Sequence, residues 1–245
     1  MSTLRIDQWL VQRGLVASRE RAGELIRKGG VQVNGKVITK PGVKFDDSAQ
    51  VDLLEAPFPW VSRGALKLLS ALEQFKVSAT DRTCLDVGAS TGGFTEVLLH
   101  HGAKKVFALD AGTDQLAERL RGDERIVSIE KQNIRTAPDD LLGEAVSLVV
   151  IDVSFISLKL ILPELGRFLS PSADVVALVK PQFEVGAAHL GRGGIVRNEK
   201  RRIQAVNDVV AEAKLLGFTC AASTVSPIEG GDGNIEYLIH LQWQK

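Results

Sequence analysis

The run Cys84-Leu-Asp-Val-Gly-Ala-Ser-Thr-Gly-Gly-Phe-Thr95 joins a short apolar strand to a glycine-rich turn and then to a helix. That junction belongs to α/β architectures. In them glycine lets the backbone approach a ligand, and the first helical turn presents free N–H groups. The spacing narrows the ligand. A dinucleotide turn of the form G-x-G-x-x-G uses its second glycine to clear room for a pyrophosphate. Here Gly88 and Gly93 hold the outer positions, but Ser90 takes the middle one. A side chain at that point disfavours a pyrophosphate and favours a smaller ligand with a ribose and a carboxylate, a description that S-adenosylmethionine meets. The candidate cradle is Asp86, Gly88, Ser90, Thr91, Gly92, Gly93 and Phe94.

From residue 82 the chain alternates apolar strands with helical stretches. The strands are expected at 83–87, 105–109, 126–130, 146–151, 175–179, 218–224 and 235–242. Such alternation predicts a doubly wound parallel sheet with helices on both faces, and ligands of these sheets sit outside the carboxyl ends of the strands. What ends each strand is therefore informative. The second stops at Asp110, placed to accept both hydroxyls of a ribose, and the third is followed by Asn133, a candidate adenine contact. The fourth stops at Asp152 and the fifth at Lys180. Any one of these suits a solvated strand end. In the order 3-2-1-4-5 they form one row. Glu236 is a further charge in an apolar strand, on the face opposite Ile235, Tyr237 and Ile239; it reads equally as an exposed edge residue. Before the first strand, Ser62 is expected to cap a helix that buries Leu66, Leu69 and Leu72, with Lys67 off that stripe. The glycine-bearing stretch from Glu184 to Asn198 reads as a mobile flap.

The N-terminal part differs. Net charge is zero over 245 residues, yet residues 1–44 hold nine Lys/Arg against three acids, a local +6. Ile6, Trp9 and Leu10 fall at helical spacing up to Gly14, and Ser18 is placed to cap a second helix with Ala22, Leu25 and Ile26 inward. Val31–Val33 and Lys36–Ile38 then flank Asn34-Gly35, a strong hairpin signal. The run Ser18-Arg19-x-x-Ala22-x-x-Leu25-Ile26-x-x-Gly29, followed by Val31-x-Val33-Asn34-Gly35, resembles the S4 RNA-binding domain. That resemblance implies a small α+β module that contacts structured RNA, with Arg5, Arg19, Arg21, Lys28, Asn34 and Lys36 as its candidate RNA-binding residues. The expected organisation is an S4-like domain over 1–56, a proline-stiffened linker over 57–61 and a catalytic domain over 62–245.

The residues around Asp152 discriminate between reactions. Methylation of an exocyclic base amine calls for an Asn/Asp-Pro-Pro-aromatic run, whereas this chain has Asp152-Val-Ser-Phe155. Methylation of a pyrimidine carbon calls for a cysteine nucleophile, and neither Cys84 nor Cys220 is suitably placed. An Asp and a Lys on adjacent strands remain, a pair suited to deprotonating a weakly acidic hydroxyl, with the lysine as base.

Asp86-Val-Gly-Ala-Ser-Thr-Gly-Gly-Phe94, Asp152-Val-Ser-Phe-Ile156, Val179-Lys-Pro-Gln-Phe-Glu184 and Ser62-Arg-Gly64 together resemble the TlyA family of ribosomal RNA methyltransferases, over nearly the whole chain. The large domain is similar to FtsJ/RrmJ-type 2′-O-methyltransferases. The resemblance implies a Rossmann-like methyltransferase sheet of seven strands with the last antiparallel, and S-adenosylmethionine as cofactor. It also implies a catalytic tetrad of Lys67, Asp152, Lys180 and Glu236, and methylation of cytidine 2′-hydroxyls in the RNA of ribosomal subunits. No metal is expected. The family also carries a hemolysin label. A pore-former needs a membrane span, a cationic amphipathic helix or a secretory signal, and none is read here, so a cytoplasmic enzyme without a membrane partner is expected. A non-catalytic RNA-binding protein is the remaining alternative, and the strand-end row weighs against it. Which subunit and nucleotide are modified, and the oligomeric state, are open at this level.

Overall fold

The computed structural model describes residues 3–16, 18–46, 48–54 and 58–245. The chain divides into two compact units, Met1–Trp60 and Val61–Lys245. Ala56 and Pro57, where the module was expected to end and the linker to begin, lie outside the described residues.

In the first unit, β1 (Thr3–Arg5) leads into α1 (Ile6–Gln12) and α2 (Arg19–Arg27), followed by β2 (Val31–Val33), β3 (Lys36–Val37), β4 (Lys44–Asp46) and β5 (Val51–Leu53). Ser18 caps α2 as expected, its hydroxyl accepting the Arg21 N–H at 3.3 Å. Asn34 and Gly35 both adopt positive φ, 49° and 76°, the turn that matches the twist of a two-residue hairpin. Ile6, Leu10, Ala22, Ile26 and Val31 are fully buried. This small core holds two helices against a three-stranded sheet of order β3-β2-β5, beside the pair β1-β4. Strands of two or three residues are too short to show periodicity, which is why β1, β4 and β5 escaped the sequence reading.

The second unit runs α3 (Ala65–Phe75), β6 (Thr83–Val87), α4 (Gly93–His100), β7 (Lys105–Leu109), α5 (Glu118–Arg121), β8 (Ile126–Ile129), β9 (Val146–Ile151), β10 (Leu169–Val179), α6 (Pro181–Glu184), α7 (Glu199–Leu215), β11 (Thr219–Val225) and β12 (Tyr237–Gln244). Its seven strands form one sheet of order β11-β12-β10-β9-β6-β7-β8. The expected 3-2-1-4-5 row is present as β8-β7-β6-β9-β10. Only β12 is antiparallel to its neighbours β10 and β11. Alternate residues serve opposite layers. Leu85 and Val87 join the cluster that holds Val206, Val209 and Ala213 of α7, while Asp86 turns the other way, toward Thr95 of α4.

The structure corrects three expectations. The inner face of α3 is Ala65, Lys67, Leu68, Ala71 and Leu72, so Lys67 is buried rather than off the stripe, and Leu66 and Leu69 are only half-buried. Gly64, not Ser62, caps that helix, without a side-chain bond. Glu236 precedes β12, and β12 lies between β10 and β11. It is therefore not an edge-strand residue, and it is 2% exposed.

Candidate active site

Register assembles the site. Val87 pairs with Leu109 on one side and Ile151 on the other. One residue further on, Asp110, Gly88 and Asp152 stand in a line across β7, β6 and β9. Gly88 has φ 85°, and a Cβ there would meet the Asp152 carbonyl oxygen at 2.6 Å, so only glycine permits this approach. Val179 of β10 pairs with Tyr237 of the antiparallel β12, which sets Lys180 opposite Glu236. The strand ends thus carry Asp110, Asp152 and Lys180 along one edge, and the start of β12 adds Glu236 to it.

Two ion pairs occupy that edge. Lys67 Nζ donates to Glu236 Oε2 at 2.5 Å, with both side chains nearly sequestered from water. Burying each charge alone would be prohibitive, so the pair depends on mutual compensation. Lys180 Nζ stands 2.7 Å from Asp152 Oδ1 but off the line of a hydrogen bond. The bond it makes goes to Ser154 Oγ at 2.9 Å. This second pair is more open, at 11% and 22% side-chain exposure. The Asp152 carboxylate also lies near the start of α3, since a Cβ on Gly64 would be 3.7 Å from Asp152 Oδ2. Spacing alone had shown neither the Lys67–Glu236 contact nor the role of Ser154.

On the cofactor side, Asp110 binds its own surroundings. Its two oxygens accept the N–H groups of Ser90 and Gly112, each at 2.7 Å. Ser90 sits at φ 47°, so the carboxylate pins the strained turn to the next strand end, and each oxygen keeps a lone pair for a ligand hydroxyl. Asp86 is fully buried, accepts the Thr95 hydroxyl at 2.6 Å, and leaves Oδ1 without a partner. Burial raises its pKa to about 7, with neighbouring Asp152 and Asp110 pushing the same way and the Thr95 bond opposing. Ala89, Ser90, Asp110, Gln115, Leu116 and Glu130 line a crevice of about 10 Å³ at this point. Among the other cradle residues, Thr91 is exposed, Gly92 and Gly93 start α4, and Phe94 is buried in its core-facing side. Asn133 spends its side-chain carbonyl on the Arg135 N–H at 3.0 Å, capping a short helical turn, and does not line the crevice.

Comparison with known proteins supplies the family. Residues 60–243 match the model of the FtsJ-like methyltransferases, and residues 4–51 that of the S4 domain. The chain belongs to the FtsJ-like methyltransferase family. It is 46% identical to the 16S/23S rRNA (cytidine-2′-O)-methyltransferase TlyA of Mycobacterium tuberculosis, over 98% of this chain and 90% of that one. A solved structure from Streptococcus thermophilus, named as a hemolysin, shares 45% identity and superposes with a TM-score of 0.77, covering 100% of this chain and 90% of that one. At fold level only, the FtsJ-like unit is like the N-methyltransferase NodS of Bradyrhizobium japonicum with S-adenosylhomocysteine bound, at 14% identity and TM-score 0.53, over 75% of this chain and 87% of that one. Among the described residues no helix is long and apolar enough to cross a membrane.

Around the FtsJ-like site the structure also gives geometry that the quoted motifs could not. Phe155 is 91% exposed at φ 63°, a conformation costly for a bulky side chain, and its ring is 5.2 Å from that of Phe183. Both follow members of the polar row, Asp152 and Lys180, by three residues. The stretch read as a flap is fastened at each end. Glu184 accepts the Ser157 hydroxyl at 2.5 Å and the Leu158 N–H at 2.8 Å, and Asn234 accepts the Val196 N–H at 3.0 Å. Burial raises the Glu184 pKa. In the S4 unit, Arg5 and Arg19 converge on Asp7, Arg21 pairs with Glu24, and Lys28 and Lys36 are exposed. The side-chain carbonyl of Asn34 accepts the Gln50 N–H at 2.9 Å, and that bond bridges β2 to β5.

Proposed function

We propose that the chain methylates the 2′-hydroxyl of cytidine in ribosomal RNA, using S-adenosylmethionine. The observation that carries this reading is the Lys180–Asp152 pair beside Lys67–Glu236 at the carboxyl edge of the sheet. Cysteine chemistry is disfavoured independently, because burial pushes the Cys84 thiol up to about 12 and a thiol in that state is inert. The relative from M. tuberculosis bears the same activity in its name.

The residues fit the cofactor. The unpaired, buried Asp86 Oδ1 and the lone pairs of Asp110 are acceptors suited to an ammonium and to ribose hydroxyls. Asp86, Gly88, Ser90 and Asp110 would hold it, after Gln115 and Leu116 yield the narrow crevice. When bound, S-adenosylmethionine supplies a methyl group as a sulfonium electrophile. With its amine deprotonated, Lys180 Nζ takes the proton of the 2′-hydroxyl as that oxygen bonds to the transferred methyl carbon, whose bond to sulfur breaks to leave a neutral thioether. Asp152 and Ser154 fix the direction of the Lys180 amine, and the buried Lys67–Glu236 pair provides a fixed field where charge develops. Phe155 offers a face on which a splayed-out base can stack. The S4 unit supplies the phosphate contacts.

The test incubates the purified chain with methyl-labelled S-adenosylmethionine and unmodified ribosomal subunits, then digests the RNA to nucleosides. Label in 2′-O-methylcytidine is the expected result. Label on a base carbon or amine would overturn the reading.

A further inference from the structure

A cavity of about 470 Å³ lies in the S4 unit. Its floor is Asp7, 4% exposed. Arg5 grips that carboxylate with two parallel bonds, Nε to Oδ1 and Nη2 to Oδ2, both 2.9 Å. Arg19 adds Nη2 to Oδ2 at 3.1 Å. Arg27 also lines the cavity, its guanidinium lying over Gly23, where a Cβ would be 3.2 Å from Nη1. Burial pushes the Asp7 pKa up, but the bonds and charges of Arg5 and Arg19 outweigh it, and the group ends below the usual carboxylate range.

We infer that Asp7 is a positioning residue for RNA: it holds Arg5 and Arg19 so that, with Arg27, they grip a backbone phosphate in this cleft. The proposal rests on the reading of the chain as an RNA methyltransferase. Each guanidinium has five N–H donors. Asp7 takes two from Arg5 and one from Arg19, which leaves the Nη1 groups of both directed elsewhere. An arginine already fixed in one geometry loses less freedom on binding than a free one. Simple electrostatics makes the opposite forecast, since a carboxylate beside a phosphate is repulsive and its removal should tighten binding. The two accounts differ in sign.

The experiment measures binding of the full chain to unmodified ribosomal subunits across a salt series, with thermal unfolding in parallel. Asp7→Asn should weaken binding by about tenfold, the scale of a charge-assisted contact. It should leave the salt slope unchanged because the arginines keep their charge. On an Arg5→Ala/Arg19→Ala background the same change should cost nothing further. Arg27→Gln, at a side chain with no hydrogen bond or ion pair to Asp7 among the described residues, should weaken binding and lower the salt slope by about one. Folded Asp7→Asn that binds as well as or better than the parent overturns the proposal, as does an equal loss on the double-mutant background. If Asp7→Asn does not fold, Arg27→Gln decides, and unchanged affinity and slope overturn the cleft as a phosphate site. A parent chain that does not bind subunits at all overturns the functional reading itself.

Discussion

The two units handle charge in opposite ways. In the S4 unit arginines stand open, Arg5 at 38% and Arg19 at 56% side-chain exposure, around one buried carboxylate. In the FtsJ-like unit the charges are enclosed, Lys67 at 9% and Glu236 at 3%. Exposed charges act at long range and are screened by salt, so they govern capture of a polyanion. Enclosed charges are costly to keep and strong at short range, so they govern a reacting atom. The comparison implies that damage to the first unit reads out in KM and salt dependence, and damage to the second in kcat and stability.

Lys180→Ala gives the largest expected effect. It should lower kcat by about 10²- to 10⁴-fold, the usual share of a positioned acid–base group, while calorimetry finds cofactor affinity intact. A change confined to KM would break the comparison. Next, Glu236→Ala leaves Lys67 buried without a partner and should cost roughly 3–5 kcal/mol in denaturant unfolding. A double Lys67→Met/Glu236→Leu variant should recover much of that stability and stay inactive. Removing residues 1–60 should leave kcat within reach of the parent and raise KM for ribosomal subunits by about 10²-fold, as several phosphate contacts vanish. Equal KM values would show that the first unit is not an anchor.

A smaller effect comes from Asp86. Its folded pKa, about 7, is raised above the unfolded value. The folded state therefore favours the protonated form, with no penalty below the unfolded pKa and a growing one as pH climbs from there through 7. Asp86→Asn should then be more stable than the parent at pH 8, by a few kcal/mol, and match it near pH 3.5. Thermal unfolding at both values checks this. The smallest is Asp110→Ala, expected to weaken S-adenosylmethionine binding by about 1 kcal/mol, because Asp110 is only one of several contacts. Calorimetry on the folded variant measures it.

What could be read from the chain alone follows the same division. Asp110, Asp152 and Lys180 were legible because a polar residue that ends an apolar run marks a strand end, and strand ends converge. The hairpin at Asn34-Gly35 and the cap at Ser18 were legible because turn chemistry is local. Lys67 was misplaced because its leucine neighbours suggested a stripe that excluded it. What buries it is a glutamate 169 residues away, which no local pattern reports. Glu236 was ambiguous for the same reason. Asp7 counted only as one acid against nine bases, and its neighbours in space, Arg5 and Arg19, lie on separate elements. Phe155 was quoted as part of a motif, but its exposure and positive φ depend on the turn after β9, which periodicity cannot describe.

The bond between Lys67 and Glu236 also bears on when the site comes into being. Its ends are contributed by the first helix of the large unit and the approach to its last strand, so closing it means closing nearly the whole unit. Contacts of such sequence separation form late, after local hairpins and neighbouring strands have collapsed. A chain lacking only its final strand pairing would have its glycine-rich turn and most of its core, yet an unmatched Lys67. On the proposed assignment of the tetrad, catalytic competence is tied to completion of the fold, and hydrogen exchange at β12 should report on both at once.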